Sequence, residues 1–216
     1  MTNCHTSRRS SVGDASTRTP QQGGRIPDDV LLDAARTCII ERGPRATTLT
    51  GIARIAGVSR MTIYRRFPDV GTALTALLTR EFGALLADIT TRVHSGHARD
   101  RLVHATLDAV RALSGHPLLR TVLRTDPEVL MPYVADRLGA TQQQAESFIA
   151  EFVAAGNADG SIRASCEAAQ TRTVLLIAQS FTLSLQPATV DIDATTLLSE
   201  LESTLQGALR PERSTT

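Results

Sequence analysis

Arginine side chains are concentrated in one stretch of the chain, between Glu41 and Asp69. This stretch has six arginines and no acidic residue. Guanidinium groups donate paired hydrogen bonds to phosphate oxygens and to the edges of bases. The stretch therefore has the chemistry of a surface that binds a polyanion. The six residues are Arg42, Arg45, Arg54, Arg60, Arg65 and Arg66.

Two short helices joined by a turn would hold these side chains in one surface. In TTLTGIARIAGVSRMTIYRRF, Gly57 stands four residues after Ala53, and the branched Ile63 stands six residues after Gly57. Alanine lets two helices approach closely and glycine permits a left-handed turn, so this spacing is typical of a helix-turn-helix. Ser59 is placed to cap the second helix. The outward side chains of that helix, which can reach a major groove, would be Arg60, Met61, Thr62, Tyr64 and Arg65.

The charge is distributed unevenly along the chain, although the net charge is only +1. Residues 1–67 carry 11 arginines and 5 acidic residues, whereas residues 68–216 carry 12 arginines and 17 acidic residues. The alternative interpretation of the two short helices and their basic surface is a solvent-exposed corner of a helical bundle that binds no DNA. A basic N-terminal third on an acidic body favours a polyanion partner for that third alone.

The motif resembles the DNA-binding signature of TetR-type bacterial transcriptional regulators over about residues 26–92. The matching segments are 48–53, 56–59 and 62–67. The resemblance implies that Thr48 caps a helix and contacts a phosphate, and that Thr62 and Tyr64 contact the backbone or adjacent bases. It places operator specificity on Arg60, Met61 and Arg65 of the second helix. The full set of implied DNA-binding residues is Thr48, Ser59, Arg60, Met61, Thr62, Tyr64, Arg65 and Arg66.

The chain departs from this family at the start of the next helix. Members often have a lysine there that grips a phosphate, followed by an acidic residue. This chain has Val70 and Gly71 at those positions. One phosphate contact is therefore in question, and Arg66 or the arginines near the N-terminus are the candidates to replace it.

Composition argues against membrane, metal-binding and enzymatic classes. Of the 216 residues, 42% are hydrophobic and 21% are charged, which is a globular balance. No apolar run reaches about 18 residues and residues 1–24 lack a signal-peptide core, so we expect a cytoplasmic protein with no membrane partner. Three separated cysteines without CxxC spacing predict neither a disulfide framework nor a zinc site, and no cofactor is expected. No P-loop, nucleophile elbow or HExxH motif points to an enzyme.

Helical periodicity continues through the rest of the chain, and no alternating strand pattern interrupts it. Beyond a first helix over 27–43, we predict helices over 71–94, 99–114, 117–125, 127–138, 141–155, 166–185 and 193–209. Proline and glycine dipeptides, including Gln186-Pro187, predict the turns between them. The predicted class is all-α: a flexible basic arm over 1–25, a three-helix helix-turn-helix domain over 26–70, and a helical ligand-binding and dimerisation domain over 71–216.

In the family that the motif resembles, the C-terminal helices form a ligand pocket and a homodimer interface. The last two predicted helices are the expected interface, because helix 166–185 is apolar on more than one face and the last helix carries a leucine stripe. Ordinary core packing is the alternative interpretation of such a stripe. The leucines of the stripe are Leu197, Leu198, Leu201, Leu205 and Leu209.

The ligand pocket is harder to place from the sequence. Few aromatic residues remain for the body, which favours an aliphatic cavity for an acyl or other small lipophilic ligand. For each polar candidate, a surface or hydrogen-bonded core position is the alternative. The candidates are His104, His116, Arg120, Tyr133, Phe152 and Gln179.

These features together predict a DNA-binding repressor that a small lipophilic ligand releases from its double-stranded operator. The alternative is a DNA-binding regulator controlled by thiol oxidation or by a protein partner. Cys38 lies on the apolar face of the first helix, where burial makes a thiol inert, so Cys166 is the expected sensor in that alternative.

Overall fold

The computed structural model describes residues 27–92, 95–131 and 138–212, which form nine α-helices and one 3₁₀ helix with no β-strand among them. The predicted all-α class is confirmed. The predicted basic arm lies outside the described residues. The α-helices are α1 (Asp28–Arg42), α2 (Leu49–Ile55), α3 (Arg60–Arg66), α4 (Val70–Thr91), α5 (Ala98–Ser114), α6 (Pro117–Thr125), α7 (Ala140–Ala158), α8 (Glu167–Ala188) and α9 (Ala194–Leu209), and the 3₁₀ helix is Pro127–Leu130.

The first three helices share one hydrophobic core with α4 and α6. Ile39 of α1, Ile52 of α2 and Ile63 of α3 have no exposed surface, and Leu77 of α4 and Leu118 of α6 complete the centre of this core. Isolated helices of seven residues are unstable in water, so α2 and α3 depend on this packing. This core contains residues from both sides of residue 70, the predicted domain boundary. The division into two domains at that residue stays a prediction.

Among the described helices, α4 alone has the length and the mean hydropathy, 1.2 over 18 residues, of a membrane span. Its apolar side faces the core of the protein through residues such as Leu74 and Leu77. Its next turn carries Arg80 and Glu81, which form ion pairs with α1. We therefore assign α4 to the core of the protein, where it connects the two halves of the chain.

A second core lies between α5, α7, α8 and α9. Its centre contains Val103, Val153, Val174 and Leu201, each at most 2% exposed. The leucine stripe of α9 packs into this core against α5, so its predicted use as a dimer interface is wrong. The periodicity of a stripe shows that one helix face is buried, but it does not show whether the covering surface belongs to the same chain. The stripe residues buried within the chain are Leu198, Leu201, Leu205 and Leu209, with Leu197 partly buried beside them.

Most helix ends fall close to the predicted positions, with one clear exception at the end of α8. The predicted turn at Gln186-Pro187 is wrong, because α8 continues through Pro187 to Ala188. Proline removes one backbone donor, and here only one helical residue follows it, so the loss at the helix end is small. The predicted helix over 127–138 begins as the 3₁₀ helix, and residues 132–137 lie outside the described residues.

Candidate functional site

The turn between α2 and α3 has the predicted helix-turn-helix geometry. Gly57 adopts a φ of 66°, the left-handed region that glycine tolerates, and the N–H of Val58 donates to the carbonyl of Ala53 at 3.0 Å. Thr48 caps α2 by accepting a hydrogen bond from the N–H of Gly51 at 3.0 Å. Ser59 caps α3 by accepting one from the N–H of Thr62 at 3.1 Å. Both predicted caps are confirmed.

One face of α3 carries exposed side chains that suit contact with DNA. Met61 is 78% exposed and Tyr64 is 51% exposed, although both are large side chains that usually prefer burial. Ser59, Thr62 and Arg65 join them around a shallow depression on this face. Ile63, on the opposite face, is fully buried, so the orientation of α3 is fixed. The helix therefore presents hydroxyl, thioether and guanidinium groups toward solvent, as insertion into a major groove requires.

The six arginines of the basic stretch divide into two groups. Arg66 forms a two-point ion pair with Asp28 of α1, with its Nε 2.6 Å from Oδ1, and its guanidinium also lies over the Phe67 ring. Arg45 pairs with Asp126 through Nε at 3.0 Å and also contacts Glu128. These two arginines tie α3 and the α1–α2 loop to the rest of the protein. The arginines that form no ion pair with any described residue are Arg42, Arg54, Arg60 and Arg65.

The start of α4 lies immediately after this surface. The Asp69 carboxylate caps α4 by accepting a hydrogen bond from the N–H of Thr72 at 2.6 Å, and this bond lowers the pKa of that carboxyl. Val70 is partly buried against the first core. The position that carries a phosphate-binding lysine in similar proteins is therefore apolar here, next to a negative charge.

A cavity of about 170 Å³ lies in the body of the protein, between α4, α5, α7 and α8. Its wall is mostly aliphatic, with the rings of Phe82 and Phe148 on two sides. Leu119 of α6 and Leu130 of the 3₁₀ helix also line it, and both belong to the first core. No described residue of the wall is charged. Such a cavity suits an apolar ligand.

The six predicted ligand-binding residues occupy different places. Gln179 lines the cavity. Phe152 contacts the wall residue Phe148 from behind, with ring centroids 4.9 Å apart, and His104 lies on the outside of α5, where its Nε2 is 3.6 Å from Glu202. Arg120 is exposed on α6, and Tyr133 lies outside the described residues.

His116 lies behind the wall rather than in it. Its ring packs edge-on against Phe82, with centroids 5.4 Å apart, and its Nε2 is 3.7 Å from the Glu81 carboxylate. Burial lowers the pKa of His116, although the Glu81 carboxylate opposes this, so the imidazole is neutral at pH 7. Glu81 also pairs with Arg36 of α1 at 3.2 Å. This cluster connects the cavity wall to α1.

Sequence reasoning missed Gln142, which lines the cavity beside Gln179. Its Oε1 accepts a hydrogen bond from the N–H of Gly139 at 2.6 Å, just before α7. A glutamine three residues after the residue that precedes a helix is a recognised capping pattern, so the GATQ sequence contained a signal for its position. The capping pattern predicts that Gln142 lies in the first turn of α7. It does not predict how α7 packs on the other helices, and so does not predict that Gln142 lines the cavity.

The two described cysteines are both free thiols in different surroundings. Cys38 is buried in the first core, and this burial raises the pKa of its thiol, as expected for an inert cysteine. Cys166 is exposed and precedes α8. Within the described residues, no group of three or more histidine, cysteine or acidic side chains is placed to hold a metal ion.

Comparison with known proteins agrees with this geometry. The family profile described as bacterial regulatory proteins, tetR family, matches residues 31–69, which contain α2, α3 and most of α1. An uncharacterised HTH-type transcriptional regulator of Mycobacterium bovis is 34% identical over 187 residues, covering 87% of this chain and 94% of the relative. A Mycobacterium tuberculosis regulator with the same description is 33% identical over the same shares of both chains.

Solved structures share the fold across both halves of the chain. The fatty acid degradation regulator FadR of Bacillus halodurans superposes with a TM-score of 0.64 at 19% identity, covering 85% of this chain and 96% of that chain. The transcriptional repressor QsdR of R. erythropolis, of the TetR family, gives 0.62 at 16% identity, covering 86% and 97%. FadR of Bacillus subtilis, solved with stearoyl-CoA, gives 0.57 at 18% identity, covering 85% and 100%. The chain therefore belongs to the TetR family, and it is a DNA-binding transcriptional regulator rather than an enzyme.

Proposed function

We propose that this regulator is a repressor whose α3 reads an operator in the major groove and whose cavity binds a small lipophilic effector that releases it. The observation that carries the proposal is that the cavity wall and the DNA-binding helices share one hydrophobic core. Phe82, Leu119 and Leu130 line the cavity and also belong to the core that contains Ile52 of α2 and Ile63 of α3. An effector that shifts these side chains would move the supports of α2 and α3.

Two polar connections would transmit such a shift to the DNA-binding helices. The Glu81–Arg36 pair, at 3.2 Å, joins α1 to α4, which is one of the helices that line the cavity. Asp126, only 4% exposed, accepts a hydrogen bond from the backbone N–H of Arg45 at 3.1 Å, which joins the end of α6 to the α1–α2 loop. Both connections begin at elements that line the cavity. An effector then acts by favouring an arrangement of α1, α4 and α6 that binds the operator less tightly.

The lipophilic class of the effector rests on the cavity wall and is consistent with similar proteins. One structural neighbour is described as a fatty acid degradation regulator, FadR, and a second is a FadR solved with stearoyl-CoA. A third is the TetR family repressor AlkX of Dietzia, implicated in biodegradation of n-alkanes. We infer the same broad class of effector for this chain, and place the protein in the cytoplasm with its DNA.

We further propose a homodimer built on the outer faces of α8 and α9. The outer face of α9 carries small residues, among them Ser203 and Gly207, and α8 exposes Leu176, whose exposed fraction is 53%. Small side chains let helices from two copies approach closely around a two-fold axis. A dimer would present two copies of α3 to major grooves about 34 Å apart on one side of the duplex.

Selection of bound fragments from the source genome tests the regulatory proposal. We expect fragments that bind at least about 10³-fold more tightly than random duplex at the same salt concentration, as specific regulators do. Neutral lipophiles of six to ten carbons should include members that lower operator occupancy in a fluorescence anisotropy assay. Linkage requires that the operator weaken the binding of such a molecule by the same factor. Equal binding of all duplexes, or occupancy that no lipophile changes, would contradict the proposal.

Sedimentation equilibrium tests the dimer. The unmodified chain should sediment as a dimer, and Leu176→Arg should yield folded monomers because an exposed position tolerates arginine within one chain but not at a packed interface. Val30→Arg is the matched control, since Val30 is 41% exposed on α1, far from the proposed interface. A stable monomer for the unmodified chain, or a dimer that Leu176→Arg leaves intact, would overturn this assignment.

A further inference from the structure

Two side-chain amides form a chain of hydrogen bonds in the cavity wall. Gln142 of α7 and Gln179 of α8 both line the cavity. The backbone N–H of Gly139 donates to Oε1 of Gln142 at 2.6 Å. Nε2 of Gln142 then donates to Oε1 of Gln179 at 2.9 Å. The chain of bonds thus runs from the backbone before α7 to a side chain on α8.

The direction of this chain follows from its first member. A backbone N–H can only donate, so Gly139 requires the carbonyl oxygen of the Gln142 amide. This orientation of the amide directs the NH₂ group of Gln142 at Gln179. The Gln179 atom that accepts the hydrogen bond must then be its amide oxygen. The NH₂ group of Gln179 is then the free end of the chain, and it makes no hydrogen bond with any described residue. The cavity therefore offers an N–H donor at a defined place.

Three of the five threonine hydroxyls in the described wall are satisfied within their own helices. The hydroxyls of Thr75, Thr79 and Thr106 donate to backbone carbonyls one turn earlier in their own helices, at 2.8 to 2.9 Å. No described wall residue carries a charge. An ionised ligand group in such surroundings would lose its hydration without gaining a partner of opposite charge. The described part of the wall thus offers no opposite charge to a carboxylate or phosphate group. It offers the amide donor of Gln179 beside the rotatable hydroxyls of Thr141 and Thr182, which make no hydrogen bond with a described residue.

We propose that the effector is an uncharged lipophilic molecule with a hydrogen-bond acceptor, such as a ketone, ester or lactone carbonyl, to which Nε2 of Gln179 donates. This inference rests on the proposed function in taking the cavity as the effector site. An engineered apolar cavity of about 150 Å³ holds benzene, so a cavity of about 170 Å³ suits a molecule of similar bulk. A compact carbonyl compound of about eight carbons is an appropriate first probe of this class.

Three probes of equal chain length separate the contributions of the acceptor and of the charge. The full chain is titrated with 2-octanone, octane and sodium octanoate, and relative affinities are obtained from the ligand-dependent rise in unfolding temperature. The ketone carbonyl loses its hydration on leaving water and octane does not, so the hydrogen bond is measured from the ratio of the 2-octanone affinity to the octane affinity, compared between the unmodified chain and a Gln179 variant. We expect octanoate to bind at least about 10-fold more weakly than 2-octanone.

Gln179→Leu tests the donor directly, because leucine keeps much of the bulk of the side chain and removes the amide. The variant should lower the ratio of the 2-octanone affinity to the octane affinity about 3- to 10-fold, the usual effect of one hydrogen bond, with its affinity for octane unreduced. Gln186→Leu is the matched control on the same helix, since Gln186 is exposed and outside the wall, and it should behave as the unmodified chain does. If Gln179→Leu fails to fold, Gln179→Met replaces it with the same expected result.

Two results would overturn this inference: tightest binding of octanoate by the unmodified chain, or an unchanged ratio of the 2-octanone affinity to the octane affinity in the Gln179 variant. Operator binding of each preparation is measured separately. If either result is seen while operator binding is intact, only this inference is contradicted and the proposed function stands. Absence of sequence-specific DNA binding removes the proposed function and leaves the ligand comparison standing.

Discussion

At the scale of single residues, the local capping and turn positions were predictable and the ion-pair partners were not. Ser59 and Gly57 act through backbone groups three or four residues away, so their types and spacing contain the information. Arg66 meets Asp28, 38 positions earlier, and Arg45 meets Asp126, 81 positions later. The sequence showed six equivalent arginines, whereas the fold leaves four of them without an ion pair to the described residues.

The Val70 position yields a prediction about phosphate binding. Val70→Lys should restore a cation at the first residue of α4 and add about one phosphate contact, which steepens the logarithmic salt dependence of DNA binding by about 0.9. The effect should be equal on operator and random duplex, because phosphates carry no sequence information. Val70→Met, which adds length without charge, is the control. An unchanged salt slope for the lysine variant would mean that the start of α4 lies away from the phosphates.

At the scale of elements, periodicity located the helices well but did not identify what covers them. The helix predicted over 117–125 is found as Pro117–Thr125, because a proline at its first position and Asp126-Pro127 after it mark both ends. The leucines of α9 were placed correctly on one face, yet that face packs on α5. Proline at 187 was expected to end α8, but the cost of proline depends on how much helix follows it.

The packing of α9 leads to a prediction about stability. Leu201→Ala should lower the free energy of unfolding by about 2 to 5 kcal/mol, the usual cost of emptying a leucine site in a core. Arg120→Ala, an exposed change on α6 outside the proposed dimer interface, should have little effect. Urea unfolding at several protein concentrations provides the measurement. If Leu201→Ala merely weakened dimer association and left monomer stability unchanged, the core assignment of α9 would be wrong.

The junction between α7 and α5 should respond to acid. The Asp159 carboxylate accepts hydrogen bonds from the Ser161 hydroxyl and from the N–H groups of Ala98 and Ser161, and these bonds lower the pKa of its carboxyl to about 2. A lowered folded-state pKa stabilises the protein above the unfolded value near 4, and this stabilisation is lost as the pH falls from about 4 to about 2. Asp159→Asn should therefore be less stable than the unmodified chain at pH 7 and equally stable near pH 2.

Urea unfolding of both proteins between pH 2 and pH 7 measures this difference. The control is Asp191→Asn, which changes an exposed carboxylate in the α8–α9 loop that makes no hydrogen bond with a described residue. A stability difference between Asp159→Asn and the unmodified chain that stays constant across the pH range would show that the ionised carboxylate is not what anchors α5.

At the scale of the whole molecule, the fold class and the DNA-binding half followed from the sequence, and the cavity did not. The helix-turn-helix is compact in sequence, so its motif covers the site that it builds. The cavity is lined by α4, α5, α7 and α8, whose contacts depend on how long helices pack against each other. Of the predicted ligand-binding residues, Gln179 lines the cavity, whereas His116 and Phe152 lie behind its wall.

The central claim is that α3 reads base sequence rather than acting as a basic patch. Its most direct test compares single variants on a selected operator and on random duplex of equal length, at one salt concentration. Arg54→Ala, at an exposed position of α2, is the control for loss of charge, and Tyr64→Phe is the control for loss of one hydroxyl contact. Both should weaken binding similarly on the two duplexes, the latter by about 1 kcal/mol.

Arg60→Ala and Arg65→Ala decide the question in that comparison. Replacing the arginine that pairs with a base edge should weaken the free energy of operator binding by about 1 to 3 kcal/mol. The same replacement should weaken binding to random duplex much less. If both variants lose the same binding free energy on both duplexes, α3 contributes only positive charge, and the assignment of operator recognition to this helix is contradicted.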